Sequence, residues 1–77
     1  MSGHWECVSR SQPARTWVHF GPDGKATRIE TSCRDLDRAL DEAAQYIGEP
    51  IDVGRWESIG ERGHSVEVWA QGQETQS

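Results

Sequence analysis

Residues 16–47, TWVHFGPDGKATRIETSCRDLDRALDEAAQYI, decide the fold. Arg15 to Phe20 is rich in β-branched and aromatic side chains, which suit a pleated, half-buried strand. Gly21-Pro22-Asp23-Gly24 then marks a turn, because proline presets φ at the second position and glycine tolerates the angle that closes it. Lys25 to Thr31 returns as a second arm, with Ile29 as its large apolar side chain. Beyond it the apolar period changes. Leu36, Ala39, Leu40, Ala43 and Ile47 line one stripe of a helix, and Asp37, Arg38, Asp41, Glu42 and Gln45 fall on the opposite side. Ser32 is placed as the N-cap, with Asp35 three residues on in the manner of a capping box. Gly48 and Pro50 end the helix.

The flanks add strands. His4 to Arg10 reads as a first strand and Ser11 to Ala14 as a loop. Ile51 to Ile59 is an extended segment whose second half is a strand. Gly60 to Gly63 is a hairpin loop, and His64 to Ala70 is a last strand with clean alternation. The order β-β-β-α-β-β predicts an α+β fold over residues 1–70: an antiparallel sheet of four to five strands with one α-helix packed on one face. Residues 71–77 are polar and read as a disordered tail. A chain of 77 residues buries only roughly 60–65% of its unfolded surface, so the core is thin and a closed catalytic pocket is disfavoured.

Charge narrows the function further. The chain carries 8 Lys and Arg against 13 Asp and Glu, a net charge of −5. Residues 1–28 hold four basic side chains against two acids (+2), whereas residues 29–77 hold four arginines against eleven acids (−7). Such a surface repels phosphate backbones and attracts a basic protein surface, so direct nucleic-acid binding is not expected. No apolar run reaches the ~20 residues of a membrane span and no signal-peptide pattern is present, which predicts a cytoplasmic protein away from the membrane. Cys7 and Cys33 are then expected as reduced, buried thiols.

Four tryptophans carry the rest of the information. Alternation sets Val18 and Phe20 on one face of their strand and Trp17 and His19 on the other. In the last strand Val66, Val68 and Ala70 share one face, and Ser65, Glu67 and Trp69 the other. One helix covers one face, and the aliphatic sets suit it. Trp17, His19, Glu67 and Trp69 are therefore expected to project from the uncovered side, as partner-binding residues or as cross-strand neighbours that cover one another. Trp5 and Trp56 are expected in the core. Asp37, Asp41 and Glu42, with Asp35 and Glu49, form a second candidate surface on the outer face of the helix.

Catalytic and metal chemistry find little support. Zinc ligands come in close pairs, and only His4-x2-Cys7 has such a spacing, with side chains that a strand points to opposite faces. No glycine-rich nucleophile turn surrounds either cysteine, and Gly21 to Gly24 lacks the phosphate-loop pattern. Asp41 and Glu42 lie on an open helix face, where nothing raises a pKa for acid–base work. No catalytic residue, metal ligand or cofactor is expected, and the protein is not expected to be an enzyme.

The stretch from Thr16 to Ile47 resembles the core of HicB-type antitoxins. There a hairpin leads into a third strand with a Thr/Ser-rich end, followed by a helix like Asp35-Leu36-Asp37-Arg38-Ala39 continuing to Ala43 and Ile47. The resemblance implies an α+β fold that masks a small RNA-cleaving toxin. No helix-turn-helix or ribbon-helix-helix pattern follows the last strand, so operator binding is not implied. Size, acidity and the helix-on-sheet plan are also similar to small phage-encoded inhibitors, anti-CRISPR proteins among them. The expected function is a non-catalytic inhibitor module that occludes a basic functional surface of a partner protein. The rival readings are a self-associating homodimeric module and a small metal-binding or hydrolytic protein.

Overall fold

The computed structural model describes residues 3–9 and 14–71, with side chains up to Trp69. The elements are β1 (His4–Cys7), β2 (Thr16–Phe20), β3 (Ala26–Thr31), α1 (Leu36–Ile47), β4 (Ile51–Val53), β5 (Glu57–Ser58), a single 3-10 turn (Gly60–Arg62) and β6 (His64–Gln71). This is an α+β fold in the expected order. Residues 10–13, which include most of the expected first loop, and residues 72–77 of the expected tail lie outside the described residues; Gln71 closes β6.

All pairings are antiparallel, in the order β1-β2-β3-β6-β4, with β5 also on β6. β6 therefore stands between β3 and β4, which run in the same direction. Two details differ from the sequence reading. The extended segment after the helix pairs with β6 at Ile51–Val53, across a bulge at Asp52/Val53, and again at Glu57–Ser58, with the Gly54 amide donating to the Glu67 carbonyl (2.9 Å) between them. The helix cap is Asp35 rather than Ser32. Ser32 is held by β2: its hydroxyl accepts the Arg15 amide (3.0 Å) and its own amide donates to the Arg15 carbonyl (2.9 Å). Asp35, in extended backbone, accepts the Arg38 amide at 3.1 Å and satisfies one of the orphan donors of the first turn.

The core is one layer of side chains between helix and sheet. Val18, Ile29 and Val66 sit in register across three strands and are essentially enclosed, with Val8, Ala26 and Ala43 completing the cluster. Ala39 and Ala43 have no exposure at all, so the helix rests close on the sheet, while Leu40 and Ile47 pack at its sides. Twelve helical residues would be marginal alone in water; packing of this stripe holds them. At one end of the layer the buried hydroxyls of Thr16 and Thr31 meet at 2.9 Å. Thr31 also donates to the Arg15 carbonyl and accepts the Cys33 amide, so neither hydroxyl is orphaned.

Gly63 makes the return into β6 possible. Its φ is 111°, and a Cβ there would lie 2.0 Å from the Thr31 carbonyl oxygen. Gly24, with φ 83°, faces open space. Gly63→Ala combines backbone strain with a clash against a sheet carbonyl and is expected to cost more than ~3 kcal/mol. Gly24→Ala carries the strain alone and is expected to cost about 1–2 kcal/mol. Urea unfolding of the two variants beside wild type measures the difference.

Candidate functional site

Among the described residues no element covers the other face of the sheet, and strand register fixes what stands on it. Trp5, His19, Arg28 and Glu67 form one cross-strand row, and Cys7, Trp17, Glu30 and Ser65 form the next. Trp69 lies one step beyond Glu67 on the same face of β6. From strand spacing and rise, the Cα atoms of Trp17 and Trp69 are about 16 Å apart, with His19 and Arg28 between them. The three indoles are 42% (Trp5), 40% (Trp17) and 70% (Trp69) exposed.

Local chemistry orients these groups. The Trp5 indole meets the His19 ring edge-on at 5.1 Å. A bulge at His19/Phe20 leaves Thr27 without a partner across the ladder, and its hydroxyl turns back to His19. That hydroxyl lies 2.6 Å from His19 Nδ1 and 3.3 Å from the His19 carbonyl oxygen, which fixes the ring beside β3. Arg28 donates to Ser65 (2.8 Å), and Arg62 pairs with Glu30 (2.8 Å). Trp69 lies over the Gly54 backbone: a Cβ at Gly54 would come within 2.9 Å of the indole nitrogen.

Of the sequence-predicted site residues, Trp17, His19, Glu67 and Trp69 come together on this open face. Asp37, Asp41 and Glu42 do not join them, because they belong to the helix on the far side of the sheet. There Asp41 accepts a hydrogen bond from Gln45. The two sides also differ in charge. Around the open face Arg28, Arg55 and Arg62 balance Glu30, Glu57 and Glu67. On the helix side Glu6, Asp35, Asp37, Asp41, Glu42 and Glu49 face Arg34 and Arg38, a local excess of four negative charges.

Trp5 corrects the sequence reading. It was expected in the core, yet it stands on the open face, because Val8 is the core residue of its segment and β1 alternates from there. Cys7 shares that face and is exposed, and Cys33 is half-buried; both are free thiols rather than buried ones. Trp56 does pack against the core edge. The signal for Trp5 was present in the spacing from Val8, but polar His4 and Glu6 on the inner face obscured it.

Those two polar residues have a task on the helix side. The Tyr46 hydroxyl and the His4 ring both hydrogen-bond the Glu6 carboxylate, tying β1 to α1 beside Phe20. The Tyr46 hydrogen bond, then that of His4, holds the Glu6 carboxyl below its usual range, and the same Glu6 bond holds the Tyr46 phenol above its own. Neither group is drawn towards neutral pH, so this cluster is a latch between strand and helix rather than an acid–base pair. Among the described residues, no group of three or more His, Cys, Asp or Glu side chains could hold a metal ion, and no helix is long and apolar enough to cross a membrane. No protein-family model, curated protein or solved structure matches this chain.

The latch has a testable sign. Glu6, lowered in the fold, contributes stability above its ordinary value of 4.5 that is lost as pH falls through the lowered one. Tyr46, raised, contributes stability below pH 10 that is lost as pH rises through the raised value. Tyr46 is the single tyrosine of the chain, so phenolate absorbance reports it alone. Glu6→Ala is expected to bring that titration down to the range of a free phenol. Tyr46→Phe is expected to move the Glu6 carboxyl up, followed by carboxyl NMR.

Proposed function

We propose that this chain is a non-catalytic inhibitor module that docks on a partner protein through the uncovered face of its sheet and occludes a functional surface there. The observation that carries this reading is the placement of Trp5, Trp17 and Trp69 on a face that no other element covers among the described residues. Indoles are large and rigid, lose little entropy on binding, and commonly supply most of the binding energy of an interface when a partner seals them from water. His19 and the balanced arginines and glutamates between them would supply directional hydrogen bonds at the rim.

The acidic helix takes a different part. It lies behind the docking face, so its carboxylates would steer a basic partner during approach instead of touching it. The reading thus keeps a partner with a basic surface, while contact is assigned to aromatic and balanced polar groups. The hairpin–helix order shared with HicB-type antitoxins and the small acidic chain shared with anti-CRISPR-like inhibitors support an inhibitory role of this kind.

Trp17→Ala/Trp69→Ala is expected to keep the fold, since both side chains project outward, and to weaken binding at least 100-fold. The partner for this measurement is a protein that co-purifies with wild type and is then reconstituted from purified components. Asp37→Lys/Asp41→Lys/Glu42→Lys is expected to slow association by about 10-fold at low salt with little change in dissociation. Surface plasmon resonance separates the two effects. Unchanged affinity in the tryptophan variant rules out the open face as the docking surface.

A further inference from the structure

β1 is the first strand in the sheet order, so the side of it away from β2 pairs with no strand among the described residues. The direction of its backbone groups follows from one bond. The Val8 amide donates to the Thr16 carbonyl at 2.9 Å, continuing the β1–β2 register by one residue. In an antiparallel ladder bonded pairs alternate with non-bonded pairs. His4, Glu6 and Val8 therefore turn their amides and carbonyls towards β2, and Trp5 and Cys7 turn theirs outward. Natural edge strands are blunted by lysine, proline, a bulge, an inward-pointing charge or short length. His4–Cys7 has no lysine, proline or bulge and its register with β2 is unbroken, while its four residues and the inward Glu6 keep any pairing short.

We infer that this edge pairs with β1 of a second copy of the chain, antiparallel about a two-fold axis at Trp5. Complementarity selects both the occupant and the register. With Trp5 on the axis, the His4 of each copy stands opposite the Glu6 of the other, on the helix side. Gly3 stands opposite Cys7, and the two Trp5 indoles meet across the axis on the open face. A hydrogen-bonding imidazole–carboxylate pair and an aromatic pair facing each other across strands are favourable, and two carboxylates are not. Moving the axis by one residue sets Glu6 against Glu6 or His4 against His4. The segment is thus self-complementary in one register.

The association is weak and reversible. Four residues per copy bury far less than the roughly 800 Å² per partner of a standard stable interface. Its geometric effect is large for its size. The two sheets become one, their tryptophan faces lie side by side, and the docking surface is doubled without a new element. This goes beyond the proposed docking function and stands whether or not that reading holds.

Sedimentation from micromolar to millimolar concentration tests it. Wild type is expected to rise with concentration towards twice the 8.7 kDa chain mass. Trp5→Lys, which places two ammonium groups across the axis, is expected to remain monomeric with an unchanged circular dichroism spectrum. Trp17→Ala/Trp69→Ala is expected to associate as wild type does, which separates this inference from the docking proposal. Should Trp5→Lys fail to fold, cysteine cross-linking decides. In a Cys7→Ser/Cys33→Ser background, Trp5→Cys is expected to oxidise to a covalent dimer at least 10-fold faster than Trp17→Cys. A wild type that stays monomeric at millimolar concentration overturns the inference. So does a folded Trp5→Lys that still dimerises, or Trp17→Cys that cross-links as fast as Trp5→Cys.

Discussion

Ala39 and Ala43 have no exposed surface, and through them α1 lies close against Val18, Ile29 and Val66. That contact is the constraint from which the remaining features follow. A single helix of twelve residues shields one side of a sheet of six strands, and no second helix exists among the described residues to shield the other. The sheet must then present its alternate side chains to water, and in this chain three of them are indoles. A two-layer fold makes such asymmetry natural, since each strand has one dry and one wet side.

The asymmetry extends to charge. The helix side gathers the acidic excess, while the open side is balanced, with Arg62 paired to Glu30 and Arg28 anchored on Ser65. The acidic excess and the exposed indoles therefore occupy opposite surfaces of one small molecule. The latch of Glu6 with Tyr46 and His4 lies on the acidic side and ties β1, an edge strand, directly to the helix.

How much of this the sequence disclosed depends on whether the cause was local. The Gly21–Gly24 turn, the stripe from Leu36 to Ile47 and the alternation in β2 and β6 are local patterns, and each was legible, as was the outward placement of Trp17 and Trp69. The misread features depend on distant neighbours. Ser32 has the right chemistry for a cap, but Arg15, seventeen residues away, takes its hydroxyl and leaves Asp35 to cap the helix. Trp5 looked apolar enough for the core, yet its strand is an edge whose inner face carries Glu6, tolerated there because Tyr46 arrives from forty residues away. The pairing of β4 with β6 across a bulge was equally remote from any local pattern.

The position of β6 has a consequence for biogenesis. It is the last of the described strands along the chain and one of the most central in the sheet, pairing with β3, β4 and β5. Val66, one of the enclosed core residues, belongs to it. A nascent chain on the ribosome can close its first hairpin early but has nothing to lay beside β3 until translation has passed Gln71. Collapse of the layer consequently waits for β6, with the bare flank of β3 open to chaperones in the interval.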